Sequence, residues 1–243
     1  MKVTDAFWEK RNMGVETTEI KIEQNDSVEE CRKVLQQIQA PYQVVKLPAA
    51  QIPLQNMLQE HGYKYMETIV RLKHDLKEDF MSPLQKRLAA LVSYERMTEE
   101  DLEVLYREID HGMFTTDRII LDDFFSEKQA HDRYRGWIGD ELQKNGEAYK
   151  FIYKNKTIGF CVHRVEKEAS YGILGGLYPE YSRTGLGFIS LYSSIMIERA
   201  RGAKCLISDV STNNIGSLRN DVAMGFQIVD VENVFVKHCE RES

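Results

Sequence analysis

Residues 172–192 read GILGGLYPEYSRTGLGFISLY, and this stretch decides the fold of the chain. It predicts a strand, a tight turn and a helix. The strand ends at Pro179, which has no N–H to offer a neighbouring strand. The helix is expected to run to about Arg201 and to end at Gly202, because its apolar side chains recur on one face at helical spacing.

The turn between that strand and that helix carries two glycines, Gly185 and Gly187. The first N–H groups of a helix have no partner within the helix, and the positive end of its dipole lies there. Glycine lets a pyrophosphate approach the backbone closely. The turn therefore predicts a phosphate-binding loop, although a short Gly-x-Gly motif is equally consistent with an ordinary strand-to-helix turn.

The segment from Leu177 to Gly187 resembles the acetyl-CoA loop of the GNAT acetyltransferase superfamily. That loop has the pattern Val-x-Pro-x-x-Arg/Gln-x-x-Gly-x-Gly/Ala, and the two glycines fall on its small positions. Ser182 stands where the family usually has Arg or Gln, and Arg183 follows one position later. The resemblance implies acetyl-CoA as co-substrate and a backbone oxyanion donor near Leu177 or Tyr178. The cofactor-binding residues that it implies are Gly175, Leu177, Ser182, Arg183, Thr184, Gly185, Leu186, Gly187 and Asn214.

A second motif lies at residues 213–226, which read NNIGSLRNDVAMGF. It resembles the second GNAT motif, Asn-x-x-Ala-x-x-x-Tyr-x-x-x-Gly-Phe, with Asn214, Ser217, Gly225 and Phe226 at matching positions. Asn214 also suits a helix N-cap, so it has a structural role as well as a candidate cofactor contact. Together the two motifs imply an α/β (α+β) GNAT fold, with a mixed twisted sheet and flanking helices.

Asp221 stands where the family commonly has the tyrosine that protonates the leaving thiolate. An aspartate with its ordinary pKa of about 4 is ionised at neutral pH and cannot donate a proton. Three interpretations stay open: a buried, protonated Asp221 is the acid, another group or water is the acid, or the protein binds acyl-CoA and catalyses poorly. Asp221 is therefore the candidate catalytic residue. No general base is identifiable among Asp122, Glu147 and Asp209.

The chain before residue 91 carries no chemical motif. We predict a smaller N-terminal α/β domain, resembling part of a GNAT fold, over residues 1–76, a linker over 77–90 and the GNAT domain over 91–243. Residues 62–74, GYKYMETIVRLKH, resemble residues 225–238, GFQIVDVENVFVKH, with one gap. This echo suggests a degenerate half-copy of the C-terminal fold, although any helix-to-strand turn is an alternative explanation.

Charge and cysteine patterns narrow the class of protein. The chain has 32 Lys and Arg against 38 Asp and Glu, and a net charge of −6 argues against a broad nucleic-acid surface. No apolar run reaches membrane-spanning length, and the N-terminus lacks the apolar core of a signal peptide. The 4 cysteines form no metal-type pairs, which favours free thiols in a reducing cytosol. We expect a cytoplasmic monomer or homodimer that uses no metal.

The resemblance of the two motifs to the GNAT superfamily implies an N-acetyltransferase that moves an acetyl group from acetyl-CoA to a primary amine of a small molecule by direct attack. More narrowly, the chain resembles the sugar-nucleotide branch of the superfamily, as in TDP-fucosamine acetyltransferase. The residues that carry this narrower resemblance are 169–175, Asp117, Arg118, Ile119, Asp122, Phe125, Tyr134, Trp137 and Ile138. It implies an amino-sugar nucleotide as a candidate acceptor. The alternative function is an acyl-CoA-binding regulatory or interaction module with weak or no catalysis.

Overall fold

The computed structural model describes residues 1–77 and 81–239, so residues 78–80 of the predicted linker lie outside the described residues. The strands are β1 Lys2–Asp5, β2 Thr17–Lys21, β3 Tyr42–Pro48, β4 Lys64–His74, β5 Val92–Arg96, β6 Gly146–Tyr153, β7 Lys156–Glu166, β8 Ala169–Leu177, β9 Cys205–Ser211 and β10 Gln227–His238. The α-helices are α1 Phe7–Met13, α2 Val28–Leu35, α3 Ile52–Glu60, α4 Pro83–Ala89, α5 Glu99–Asp110, α6 Glu127–Lys144, α7 Phe188–Arg201 and α8 Ile215–Ala223. Within the described residues, 10 strands form one mixed sheet in the order β1-β2-β3-β10-β4-β9-β8-β7-β6-β5. The predicted mixed sheet with flanking helices is confirmed.

The arrangement of β2 and β3 on one side of the β10–β4 pair is repeated by β8 and β9 on the other side. β2 and β3 are parallel neighbours joined through α2, and β8 and β9 are parallel neighbours joined through α7. At the centre, β10 lies between β3 and β4, and β4 lies between β10 and β9. Each half of the chain therefore places its last strand beside a strand of the other half.

The two similar sequence segments, residues 62–74 and 225–238, coincide with β4 and β10. We call these two strands the exchanged strands, because each lies beside strands of the other half. β4 follows α3 and β10 follows α8, and the two strands pair with each other antiparallel. Gly62 and Gly225, with φ of 82° and 90°, make the turn from helix to strand in the left-handed region that favours glycine. The interpretation of residues 1–76 as a degenerate half-copy stays a prediction. The domain boundaries stay a prediction, because strand pairing crosses them.

The exchanged strands also carry apolar side chains into the core of the opposite half. Phe235 of β10 is 1% exposed and packs in one cluster with Ile20 and Leu58. Leu72 of β4 is fully buried in another cluster with Leu206 and Phe226. Burying a side chain of this size contributes about 1.5–3 kcal/mol. The two halves consequently share their cores as well as their backbone hydrogen bonds.

Two elements at the N-terminus were not predicted from the sequence. β1 has only 4 residues, and α1 has Ala6 at its N-cap position without a side-chain cap, so neither carries a clear local signal. By contrast, Ser27, Thr98 and Ser126 each form a capping box at the start of a helix, which is a clear local signal. α1 nevertheless contributes to the cavity of the protein, because it holds Trp8 and Glu9 over the sheet.

The cysteines are all free, with Cys31 and Cys161 buried and the other two partly buried. Across residues 1–77 and 81–239, no group of three or more His, Cys, Asp or Glu side chains is arranged to hold a metal ion. No helix in this part of the chain combines the length and the apolar character needed to span a membrane.

The strand exchange predicts that neither half folds alone. A fragment of residues 77–243 lacks β4, so β9 and β10 lose the strand that joins them. We expect this fragment to show no cooperative thermal transition by circular dichroism, and we expect co-expression with residues 1–76 to restore a folded complex. A cooperative transition from residues 77–243 alone would contradict the exchange.

Candidate functional site

β8 and β9 run parallel but pair only over their first residues. The pairing extends from Ala169 opposite Cys205 to Gly172 opposite Ser208, and it stops there. The rest of β8 stays paired with β7 on its other side. A gap therefore opens between the two strands toward their C-terminal ends, in front of α7. This gap gives room for an extended ligand between the two strands.

The hydrogen-bond pattern of β8 determines which backbone groups face this gap. The N–H of Tyr178 donates to the carbonyl oxygen of Ile158 at 2.9 Å. In an antiparallel ladder every second residue bonds to the same neighbour, so Gly176 also bonds toward β7. The N–H groups of Gly175 and Leu177 point to the other side, into the gap. The oxyanion donor predicted near Leu177 or Tyr178 therefore cannot be the N–H of Tyr178.

The turn before α7 presents a run of unpaired backbone N–H groups. Arg183 and Gly185 adopt left-handed conformations, with φ of 63° and 80°. In the part of the chain that the structure describes, the amides of residues 183–188 donate no hydrogen bond, and the next amide, of Ile189, donates to Leu186. Successive unpaired amides at the start of a helix form an anion-binding concavity. We call residues 183–188 the amide cradle.

Side chains of the turn stabilise its shape. The hydroxyl of Ser182 donates to the carbonyl oxygen of Pro179 at 2.8 Å, and that of Thr184 donates to Tyr181 at 2.6 Å. Leu186 is 8% exposed and packs in the core, which anchors the cradle to the body of the protein. The side chains of Ser182, Thr184 and Leu186 are therefore engaged in contacts within the protein. These residues present mainly backbone groups to a ligand.

The predicted cofactor residues fall into two groups in the structure. Gly175, Leu177, Ser182, Arg183, Gly187 and Asn214 line a cavity of about 840 Å³. Thr184, Gly185 and Leu186 belong to the amide cradle at the edge of this cavity. Asn214 caps α8, with its side-chain oxygen accepting from the N–H of Ser217 at 3.0 Å, and it lines the cavity as well. A Cβ on Gly187 would lie 2.8 Å from the side-chain nitrogen of Asn220, so a larger residue at this position would require the Asn220 side chain to move.

Asp221 lies on the buried face of α8 and lines the same cavity. It is 2% exposed, and its Oδ1 has no hydrogen-bond partner among the described residues. Burial raises the pKa of Asp221 to about 7, because desolvation disfavours its charged form. The protonated form of this carboxyl is therefore accessible near neutral pH, and the objection raised for an ordinary aspartate does not apply.

The far part of the cavity is lined by charged side chains from both halves of the chain. Its floor is a face of the sheet formed by β2, β3, β10 and β4, and its roof is formed by α1, α6 and residues 114–118. We define the charged cluster as Glu9, Glu19, Glu67, Asp117, Arg118 and Arg133. In the sequence, Asp117 and Arg118 stand out only within the narrower resemblance. The others could not be recognised there, because they come from separate elements without a shared motif.

Glu67 is the carboxyl of this cluster that best suits proton transfer. It is 3% exposed and lies on β4, the strand that borders β9. Burial raises the pKa of Glu67, and this effect outweighs the opposing effects of Arg118 and of a hydrogen bond with Ser211. The exchange of β4 brings this residue to the mouth of the gap. No local signal in the sequence could have revealed it.

The carboxylates considered from the sequence have other partners. Asp122 accepts a hydrogen bond from His238 Nε2 at 2.8 Å. Glu147 pairs with Arg96 and Arg201. Asp209 lines the cavity but is held by Arg71 through two hydrogen bonds of 2.7 Å. Their partners give all three a structural role.

A buried polar network lies beneath the gap. His163 is 1% exposed, with its Nδ1 2.7 Å from Glu198 Oε1 and its Nε2 3.0 Å from Ser194 Oγ. Burial lowers the pKa of His163, but Cys161 and Glu198 raise it, and the net result is a pKa above the ordinary value. Ser194 and Glu198 are on α7 and His163 is on β7, so this network fixes the helix that carries the amide cradle.

Comparison with known proteins places this geometry in context. No family model and no curated protein sequence matches the chain. Solved structures do match it, including a GCN5-related N-acetyltransferase from Kribbella flavida, with a TM-score of 0.61, 13% identity, and coverage of 93% of this chain and 82% of that chain. The chain has the GNAT fold.

Two further solved structures are similar to this chain over most of its length. A conserved protein of unknown function from Staphylococcus epidermidis has a TM-score of 0.61 and 11% identity, covering 96% of this chain and 89% of that chain. A tandem GNAT protein from the clavulanic acid biosynthesis pathway has a TM-score of 0.52 and 10% identity, covering 88% of this chain and 69% of that chain. The likeness extends over both halves of this chain, beyond the residues that the two motifs cover.

The raised pKa of Asp221 predicts that Asp221→Asn stabilises the protein more at pH 8 than at pH 5. The folded pKa of about 7 lies above the unfolded value of 3.8, so the folded state retains a proton that the unfolded state loses. The free energy of unfolding of the wild type should therefore fall, by roughly 1–3 kcal/mol, as pH rises from 5 to 8. Urea denaturation of both proteins at both pH values measures this, and an effect independent of pH would contradict it.

Proposed function

We propose that this chain is an N-acetyltransferase that transfers an acetyl group from acetyl-CoA to a primary amine of a small molecule. The observation that carries the proposal is the gap between β8 and β9, which leads directly to the amide cradle. The likeness to a solved GCN5-related N-acetyltransferase supports the same activity. We further propose the cytoplasm as its location, from the free cysteines and the composition.

The residues of the site fit acetyl-CoA. The amides of residues 183–188 and the charge of Arg183 suit a pyrophosphate. The backbone groups of Gly175 and Leu177 suit the extended pantetheine arm, which can bond to β8 as an additional strand would. Asn214 lies on the opposite side of the gap, next to β9.

The same residues suit direct attack of an amine on the thioester carbon. The N–H groups of Gly175 and Leu177 face the gap and can donate to the oxygen that gains charge in the transition state. As the C–N bond forms and the C–S bond breaks, protonated Asp221 is placed in the cavity to give its proton to the sulfur. General acid catalysis of this kind contributes about 10²–10⁴ to a rate.

The alternative, an acyl-CoA-binding module with little catalysis, was suggested by an aspartate at the position of the family's tyrosine. The burial of Asp221 and its pKa of about 7 favour the enzyme. Release of CoA in the presence of an amine panel distinguishes the two functions. An amino-sugar nucleotide as the acceptor stays a prediction that rests on the narrower sequence resemblance.

The amide cradle predicts that Gly185→Glu abolishes binding of acetyl-CoA. The new carboxylate would oppose the pyrophosphate charge, and we expect the dissociation constant measured by calorimetry to rise at least tenfold. Gly202→Glu is a matched control at the other end of the same helix. Both glycines have left-handed φ, of 80° and 79°, and neither has an atom within 4 Å of a built Cβ.

Both variants should therefore lose a similar amount of stability, about 1–2 kcal/mol, from a side chain in the left-handed region. Only Gly185→Glu should lose affinity for acetyl-CoA. Equal affinity of the two variants, or no binding by the wild type, would remove the basis of the proposal.

The general acid role of Asp221 predicts a pH dependence of turnover. The wild-type kcat should fall as pH rises above about 7, since the proton is then lost from the carboxyl. Asp221→Asn should lower kcat by about 10²–10⁴ and remove this limb of the profile, with little change in the affinity for acetyl-CoA. Unchanged kcat at saturating acetyl-CoA would assign the acid role to another group or to water.

A further inference from the structure

The charged cluster lies at the end of the cavity away from the amide cradle, where the acceptor amine must enter. Its members come from α1, β2, β4, α6 and the segment before α6, so it depends on the packing of both halves of the chain. Burying charged groups is costly unless they are paired and hydrogen-bonded. The pairing within the cluster is incomplete at two positions, Arg118 and Glu67.

Arg118 is buried with unsatisfied donors. It is 6% exposed, and its Nη2 lies 3.5 Å from Glu9 Oε1 and 3.6 Å from Glu19 Oε1. Its Nε and Nη2 make no hydrogen bond to any described residue. Arg133, in contrast, donates from Nε to both oxygens of Glu9 at 2.9 and 3.0 Å. A planar guanidinium whose buried donors lack hydrogen-bond partners matches a carboxylate, which can accept two hydrogen bonds from it.

Glu67 is buried without a cation. Within residues 1–77 and 81–239 it forms no ion pair, although it lies near enough to Arg118 for the two charges to interact. Glu67, Ile69 and Arg71 alternate along β4 on the face that lines the cavity. A carboxyl in this position can accept the proton of an amine.

Apart from Glu67, the carboxylates and cations around the charged cluster are equal in number. Glu9, Glu19 and Asp117 face Arg118, Arg133 and Lys46, with Lys46 Nζ 3.4 Å from Glu19. A ligand with a large net charge would disturb this balance. A ligand with an amine at one end and a carboxylate at the other preserves it and satisfies both incomplete positions.

We propose that the acceptor is an amino acid or a close derivative, that is, a primary amine that also carries a carboxylate. Arg118 binds the carboxylate, and Glu67 takes the proton that the amine nitrogen loses as it attacks the thioester carbon. The C–N bond forms, the C–S bond breaks, and the thiolate receives a proton from Asp221 or water. This inference rests on the proposed acetyltransferase function and names its acceptor class.

The test compares amino acids with analogues that lack the carboxylate. Phenylalanine, methionine and lysine are each supplied with acetyl-CoA beside their primary amides and their decarboxylated amines, and release of the CoA thiol is followed. We expect kcat/KM for each acid to exceed that for both analogues at least tenfold. Calorimetric binding of the same compounds to the protein saturated with CoA measures carboxylate recognition without turnover.

Variants of Arg118 and Glu67 distinguish a role of these residues in acceptor recognition and proton transfer from a purely structural role. Arg118→Gln should raise KM for the acids at least tenfold and leave KM for the amides unchanged. Glu67→Gln should lower kcat by about 10²–10⁴ with little effect on KM. Arg164→Gln is a matched control, since Arg164 pairs with buried Glu141 at 2.8 Å and does not line the cavity. It should destabilise the protein and leave the preference for acids intact.

The outcomes are distinguishable. Equal use of acids, amides and amines, or a preference for an amino-sugar nucleotide, would overturn this inference while leaving acetyl transfer in place. Binding of the acids without CoA release from any compound would support carboxylate recognition and remove the acetyltransferase proposal. Absence of acid binding and of acid turnover would overturn the inference.

Discussion

The antiparallel pairing of β4 with β10 at the centre of the sheet is the interaction on which the rest of the structure depends. These two strands come from opposite ends of the sequence, and each also pairs with a strand of the other half. Phe235 of β10 and Leu72 of β4 each pack in a core cluster of the opposite half. Without this pairing, the sheet would divide and the face that forms the floor of the cavity would not exist.

The exchange also explains why the two ends of the cavity differ so much in character. The end at β8, β9 and α7 is made mainly of backbone, with amides presented by a turn that requires Gly185. The other end is made of side chains held by several elements, with Glu9, Arg118 and Arg133 buried between α1 and α6. A nucleotide can be held by backbone geometry alone, whereas a small acceptor needs side chains to define it.

The sequence was informative where the structure is local. The strand, turn and helix around residues 172–202 were predicted because their signals, Pro179 and the glycines, act on the residues beside them. Glu67 could not be predicted as a site residue, since its place in the cavity depends on β4 lying next to β9, a strand about 140 residues away in the chain. Asp221 falls between these cases. Its position was predicted from a motif, but its pKa depends on burial that only packing determines.

The interlocked sheet also has a consequence for how ligands enter and leave. Two lobes joined by a flexible hinge can open a cleft by rotating apart, at little cost to either lobe. Here such a rotation would break backbone hydrogen bonds along both β4 and β10, so the cavity floor behaves as one rigid plate. A ligand that enters or leaves the cavity would therefore depend on movements of the roof, formed by α1, α6 and residues 114–118, rather than on a hinge through the floor.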